Sequence, residues 1–189
     1  MTPLRSVLLA FALLAPLAAF AQDASLHDLD TRFTDQRGKA MRFEDLKGGP
    51  VLVTMFYGNC EYACPMLVSR MKRLEAKVPE ADRAKLRMVL VTFDPKRDSV
   101  EALRKMHGLY SLDERWGFLR VDDAEAVKEL AALLGVKYRF MPDGAINHSS
   151  VITLLDGKGI VRARMDGMDL PDETILDPLV PMLSARTAR

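Results

Sequence analysis

Two continuous apolar runs constrain the fold of this chain more than any other feature of its sequence. The run 50–57 reads PVLVTMFY, and the run 86–93 reads LRMVLVTF. Both have the length of a β-strand and show little apolar–polar alternation, which is typical of strands buried on both faces of a parallel sheet. Between them, apolar side chains recur at helical spacing over 65–78. The two runs therefore predict a β-α-β unit within an α/β fold.

The remaining segments extend this unit into one domain. The sequence predicts a hairpin around 35–38, helices over 98–106 and 123–134, a short strand at 118–121, a second hairpin with strands 151–155 and 160–164, and a last helix over about 171–183. This order predicts a thioredoxin-like layout. Its central mixed sheet would be flanked by helices, parallel in its first half and closed by a C-terminal β-hairpin.

Composition excludes several classes of protein. The 27 Lys and Arg residues nearly balance the 26 Asp and Glu residues, which leaves a formal charge of +1 and no electrostatic footprint for nucleic acid. With two cysteines and three histidines in 189 residues, the chain is neither a disulfide-rich miniprotein nor a zinc module built on four cysteines. Two cysteines can still form a structural bridge, a redox pair or half of a metal site.

Residues 1–21 have the pattern of a secretory signal peptide. Arg5 supplies the positive start, 7–15 form an apolar stretch, and Ala19-Phe20-Ala21 resembles a cleavage site. We expect the mature protein to comprise 22–189 and to be a monomer exported to a bacterial periplasm, without stable membrane insertion. The alternative is an uncleaved N-terminal membrane anchor that leaves the domain facing the periplasm.

Cys60 and Cys64 follow the first apolar run, at the end of a predicted strand where α/β sheets place their ligand sites. Pro65 suits the first turn of a helix, so both cysteines are expected near a helix N-terminus, where the macrodipole favours a thiolate. A helical i,i+4 pair has Cβ atoms about 5–6 Å apart, whereas a relaxed disulfide needs about 3.8 Å. This disfavours an inert bridge and leaves a redox-active dithiol and a pair of metal-binding thiolates open.

One histidine lies where it can meet this pair. His148 precedes the strand of the last predicted hairpin, and in a thioredoxin-like layout the loop before that strand faces the cysteines. A dithiol with His148 would form a site of two sulfurs and one nitrogen, which suits copper in either oxidation state, with zinc as the rival. His148 alone would more often be a core or capping residue. We expect His27 and His107 to be solvated or helix-terminal, and Met165 and Met168 to fill the core rather than bind metal.

The segment after the second apolar run ends at the same edge of the predicted sheet. Asp94-Pro95 predicts a turn, and Asp98 with Glu101 three residues later predicts a helix cap. The functional alternative is that Asp94 accepts a hydrogen bond beside the site or contacts a partner.

Taken together, these segments resemble the Sco/SenC family, copper-binding proteins of thioredoxin fold that help to assemble cytochrome c oxidase. The resemblance spans about 31–183 and is carried by Phe56-Tyr57-Gly58 before Cys60-x-x-x-Cys64-Pro65, by Asp94-Pro95-x-Arg97-Asp98-Ser99, and by His148-Ser149 before Gly157-Lys158-Gly159.

The resemblance implies that Cys60, Cys64 and His148 bind Cu(I) or Cu(II), and that Asp94 is linked to the site. Two positions depart from the family pattern. Glu61 stands where the family often has proline and adds a negative charge beside the thiolates, whereas Asn147 stands where it often has aspartate and removes one.

Three functions follow as hypotheses. The first is a periplasmic copper metallochaperone that delivers copper to the copper-site subunit of cytochrome c oxidase or to another periplasmic copper protein. The second is a thiol–disulfide oxidoreductase that reduces the cysteines of the target site, with Cys60 attacking and Cys64 resolving. These two roles are compatible, because only the reduced dithiol binds copper. The third is a structural adaptor with an inert disulfide.

Overall fold

The computed structural model describes residues 24–60 and 63–184. The predicted signal peptide lies outside these residues. The strands are β1 (Phe33–Asp35), β2 (Ala40–Met41), β3 (Val51–Phe56), β4 (Arg87–Thr92), β5 (Trp116–Arg120), β6 (Tyr138–Phe140), β7 (Ile146–His148), β8 (Val151–Leu155) and β9 (Val161–Asp166). The α-helices are α1 (Ala63–Lys77), α2 (Glu80–Arg83), α3 (Val100–Leu109), α4 (Ala124–Leu134) and α5 (Glu173–Ser184), with 3₁₀ helices at Leu26–Asp28 and Phe43–Leu46.

Seven strands form one sheet in the order β2-β1-β5-β4-β3-β8-β9, and β6 and β7 form a separate two-stranded hairpin. Within the large sheet β3, β4 and β5 are parallel, whereas β8 pairs antiparallel with β3, and β9 pairs antiparallel with β8. The first hairpin joins β5 in antiparallel orientation. The predicted mixed sheet, parallel in its first half and closed by a C-terminal hairpin, is confirmed.

Strand β3 separates two hydrophobic cores. Val51, Val53 and Met55 belong to the core that α4 covers, whereas Leu52 and Phe56 belong to the core that α1 and α5 cover. Because successive side chains of a strand point to opposite faces, both sets must be apolar when both faces are covered. This double burial explains why β3 is written in the sequence as one uninterrupted apolar run.

Two helix starts show how local chemistry sets the element bounds. Helix α4 begins after Asp123, whose side chain accepts a hydrogen bond from the Glu125 N–H, and it ends at Gly135 in the left-handed conformation, as predicted. Helix α3 instead begins after Ser99, whose hydroxyl accepts from the Ala102 N–H. The prediction that Asp98 caps this helix is wrong, because the Asp98 carboxylate turns into the protein and makes other contacts.

A buried ion-pair network fastens the last helix to α1. Asp172 precedes α5, and its carboxylate contacts Arg70 at 2.8 Å, Arg73 at 3.2 Å and Lys77 at 2.7 Å. The side chains of Asp172 and Arg70 are each only 8% exposed. Arg70 also donates to the carbonyl oxygens of Met168 and Leu170, so it holds the connection between β9 and α5. No helix within 24–60 and 63–184 combines the length and the apolar character that crossing a bilayer requires.

Replacing Asp172 tests this network. Asp172→Asn keeps the size of the side chain but leaves the buried Arg70 guanidinium without its counter-charge, so we expect the free energy of unfolding to fall by about 3 kcal/mol at pH 7. Glu173→Gln, which changes an exposed acidic residue in the first turn of α5, is the matched control and should change it by less than about 0.5 kcal/mol. Denaturant unfolding measures both, and equal stability of the two variants would contradict the role of the network.

The same pair of variants gives a pH dependence with a defined sign. Burial by itself would raise the pKa of Asp172, but Lys77, Arg73 and Arg70 outweigh it and hold that pKa below its ordinary value. The carboxylate therefore stabilises the fold fully above about pH 4 and loses this contribution as the pH falls through the folded-state pKa. The stability difference between wild type and Asp172→Asn should be constant from pH 5 to 8 and shrink below about pH 4.

Candidate metal centre

The two cysteines lie where β3 passes into α1, at the carboxyl edge of the parallel strands. The Cys60 N–H donates to the Tyr57 carbonyl at 3.2 Å, and the Cys64 N–H donates to Cys60 Sγ at 3.3 Å. The Cys64 thiol lies 3.5 Å from the same Tyr57 carbonyl. Both cysteines are free, Cys60 is half-buried, and Cys64 is buried. The backbone of this turn therefore holds both sulfurs in place without a disulfide.

His148 comes to the dithiol from the other side of the site. It is the last residue of β7, and its ring lies edge-on to Tyr57 at a centroid distance of 5.8 Å and tilted against Phe93 at 5.2 Å. Nδ1 lies 3.0 Å from the Ser149 carbonyl. Because a carbonyl only accepts, Nδ1 carries the proton in the neutral ring, and Nε2 keeps the lone pair that a metal would need.

These three residues form a compact donor set. Ligand atoms of Cys60, Cys64 and His148 all lie within 4.8 Å of one another. The sequence expectation that the loop before β8 faces the cysteines therefore agrees with the structure. Of the other histidines, His107 contacts the Asp113 carbonyl at the end of α3, whereas His27 is 7% exposed rather than solvated as predicted.

The hairpin that carries His148 was not predicted. Strands β6 and β7 pair antiparallel, with Tyr138 opposite His148 and Phe140 opposite Ile146. A signal for it exists in the sequence, since the turn-forming Pro142-Asp143-Gly144 separates the short β-prone piece YRF from INH. Each strand has only three residues, too few for the alternation that identifies a longer strand.

Burial controls the protonation of the inner cysteine. Burial, together with the adjacent Cys60 and Asp98, raises the pKa of the Cys64 thiol far above its ordinary value. The helix N-terminus was expected to favour a thiolate, but at Cys64 the loss of solvation is the larger effect. A metal that binds Cys64 must therefore displace its proton, which couples metal binding to proton release.

Asp98 is a functional residue that sequence reasoning missed, because a cap explained it at the time. Its carboxylate is 3% exposed and accepts hydrogen bonds from the Gly58 N–H at 3.0 and 3.1 Å and from the Thr92 hydroxyl. Thr92 ends β4 and Gly58 follows β3, so this carboxylate joins the ends of two neighbouring strands directly before the dithiol. Burial raises the pKa of Asp98, and the Thr92 and Gly58 hydrogen bonds oppose that rise.

Asp94 lies beside the site without belonging to the donor set. Its side chain forms an ion pair with Arg97, and Arg97 donates to the Gly144 carbonyl at 2.8 Å. Gly144 is in the turn of the β6–β7 hairpin, so Asp94 orients an arginine that holds the hairpin bearing His148. Met165 is buried in the core, and Met168 packs against it, as expected of core residues.

The fold and the site together define a class: a thioredoxin-like protein that gathers two cysteines and one histidine, all close enough for one metal ion, at the carboxyl edge of its sheet. A family model described as SCO1/SenC matches residues 21–183. The chain belongs to the SCO1/SenC family.

Individual relatives agree with this assignment. A protein of Stutzerimonas stutzeri described as copper-binding is 31% identical over 156 residues, which cover 76% of this chain and 74% of the relative. The solved structure of BsSco, described as a member of the Sco family of cytochrome c oxidase assembly proteins, has a TM-score of 0.69 and 26% identity and covers 89% of this chain and 98% of its own. Arabidopsis thaliana ScoI, solved with copper bound, shares the fold with a TM-score of 0.70 at 19% identity, covering 82% and 96%.

The tight packing around Gly58 gives a prediction. A Cβ at position 58 would overlap the Asp98 carboxylate, whereas a Cβ at Gly108 in α3 would meet nothing within 4 Å. We expect Gly58→Ala to lower the free energy of unfolding by about 1–3 kcal/mol and Gly108→Ala to raise it by up to about 1 kcal/mol. Chemical denaturation of both variants is the measurement. A Gly58→Ala protein as stable as wild type would show that the carboxylate does not fix this turn.

Proposed function

We propose that this protein is a copper metallochaperone. The single observation that carries the proposal is the donor set of Cys60, Cys64 and His148, whose ligand atoms lie within 4.8 Å of one another. Two sulfurs that each bind one ion at about 2.3 Å can be at most about 4.6 Å apart, so little movement is needed to close the site. Thiolates are soft ligands that favour Cu(I), and an imidazole extends the same site to Cu(II).

Copper fits this chain on the grounds of family as well as geometry. The S. stutzeri relative is described as copper-binding, and a structural neighbour holds copper. We infer that Cys60, Cys64 and the Nε2 atom of His148 bind the ion, while Asp94 and Asp98 hold the surrounding segments. Zinc is the rival metal for such a donor set, and competition between the two metals is part of the test.

The site is suited to passing its metal on. Cys60 and His148 are half-buried, so one side of a bound ion faces the surface. A site of three protein ligands leaves a position for an incoming ligand, and the metal can pass from one set of thiolates to another by stepwise exchange. We propose that the recipient is the copper-site subunit of cytochrome c oxidase or another periplasmic copper protein; BsSco belongs to a family described as cytochrome c oxidase assembly proteins.

The location and extent of the mature protein are part of the same proposal. We infer that residues 1–21 direct export and are removed, and that 22–189 act in the periplasm as one copper-binding, monomeric domain. The periplasm is an oxidising compartment, so the dithiol would have to be kept reduced there to bind copper.

The second candidate is a thiol–disulfide oxidoreductase, which the unequal exposure of the free cysteines favours. Cys60 is the accessible sulfur and accepts the Cys64 N–H, whereas Cys64 is buried. In this reaction the Cys60 thiolate attacks a target disulfide, releases one target thiolate and forms a mixed disulfide. Cys64 then loses its proton and attacks Cys60, which frees the second target thiolate. The two electrons that reduce the target come from the Cys60–Cys64 dithiol, which leaves as a disulfide.

Titration of the reduced protein with Cu(I) tests the proposal. Wild type should bind one equivalent, and His148→Ala should weaken binding more than about tenfold because one of three ligands is lost. His107→Ala, which removes a histidine outside the donor set, is the matched control and should bind as wild type does. Competition with a chromophoric Cu(I) chelator measures the affinities, and the same titration with Zn²⁺ compares the two metals.

The outcomes separate the three functions. If His148→Ala binds copper as tightly as wild type, the three-ligand site is wrong. If the copper-loaded protein keeps its metal when mixed with a reduced oxidase copper domain, yet the metal-free protein reduces the oxidised domain, the reductase is correct. If neither copper binding nor thiol exchange is found, only the adaptor remains.

A further inference from the structure

Tyr57 contacts both cysteines through its backbone. It follows the last residue of β3, and its carbonyl oxygen accepts the Cys60 N–H at 3.2 Å while lying 3.5 Å from Cys64 Sγ. The orientation of the two sulfurs thus depends on the position of this one peptide group.

The side chain of Tyr57 contacts the third member of the site. Its ring meets the His148 ring edge-to-face at 5.8 Å with an interplanar angle of 88°. Its hydroxyl is hydrogen-bonded to the backbone of Ile146, two residues before His148 in β7, and to the side chain of Cys60. Because the Ile146 N–H donates to the hydroxyl oxygen, the hydroxyl hydrogen is left to point at the Cys60 sulfur.

We propose that Tyr57 is a positioning residue for the metal centre: its hydroxyl joins the cysteine turn to the histidine hairpin and donates a hydrogen bond to the Cys60 sulfur. This proposal deepens the proposed copper function and rests on it for the role of the site. It assigns to one side chain both the spacing between the ligand-bearing segments and the electron-donor strength of Cys60.

The physical consequence concerns the electrons of the Cys60 sulfur. A hydrogen bond to a metal-bound thiolate withdraws electron density from the sulfur, so the sulfur gives less charge to the ion. Removing this bond raises the energy of the sulfur electrons, and the sulfur-to-Cu(II) charge-transfer band then moves to longer wavelength. The same bond stabilises the reduced sulfur more than the disulfide sulfur, which is a poorer acceptor, so its loss shifts the metal-free thiol–disulfide equilibrium towards the disulfide.

The chain offers a matched control in Tyr110, at the end of α3. Tyr110 is half-buried and packs against the same core as the cysteines. Burial raises its pKa, and the negative charges of Cys64 and Cys60 add to that rise, so its hydroxyl also lies near the dithiol. Its influence is electrostatic, without the link to the histidine hairpin. Removing its hydroxyl tests whether any buried tyrosine near the sulfurs has the same effect.

The experiment compares wild type, Tyr57→Phe and Tyr110→Phe by two measurements. The first is the absorption spectrum of each protein with one equivalent of Cu(II). The second, made without metal, is the equilibrium constant for exchange of the dithiol with oxidised dithiothreitol. For Tyr57→Phe we expect a band at longer wavelength and an equilibrium shifted about fivefold towards the protein disulfide, the size of one net hydrogen bond. Tyr110→Phe should match wild type in both measurements.

Each result decides the inference. Tyr57→Phe indistinguishable from wild type in both measurements would overturn it, as would equal changes in the two variants. If wild type binds no copper, the proposed function fails, yet the metal-free equilibrium still tests the hydrogen bond. Because phenylalanine keeps the ring against His148, a shifted equilibrium in a variant with unchanged thermal unfolding reports the lost hydroxyl and not a disturbed fold.

Discussion

The burial of β3 on both faces is the constraint on which the rest of the structure depends. Its side chains alternate between two cores, so the strand can neither slide nor rotate without exposing one of them. The turn that carries the dithiol begins where this strand ends. Exchangeable chemistry at Cys60 and Cys64 is thus attached to the most firmly held part of the sheet, which allows a half-exposed site to keep a fixed geometry.

The site itself is assembled from three chain segments that are distant in sequence. Asp98 holds the end of β4 to the turn after β3, and Arg97 holds the same segment to the hairpin turn at Gly144. Tyr57 contacts the cysteines and His148 directly. A buried carboxylate also disfavours negative charge on Cys64, so the contacts that shape the site also favour its protonated form until a metal binds.

Much of the fold was predictable because the strongest signals are local. The apolar runs of β3 and β4 lie within one residue or two of their predicted bounds, and α4 begins and ends at its predicted cap and glycine. The errors have a common cause. Asp98 fits a local cap pattern, but a cap and a buried link to Gly58 use the same carboxylate, and only the packing of β3 beside β4 decides between them. His27 was likewise expected in solvent and is instead covered by the fold.

By itself, the sequence determined the order of strands and helices, the family to which its motifs belong, and the identities of Cys60, Cys64 and His148 as candidate ligands. These follow from periodicity, spacing and residue type, which are local properties of the chain. The tertiary structure decided that the three ligand atoms lie within 4.8 Å of one another, that Cys64 is a buried thiol, and that Tyr57 and Asp98 hold the segments together. Distances between residues some 80 positions apart and the solvation of a sulfur depend on which surfaces pack together, and a pattern of neighbouring residues does not contain that information.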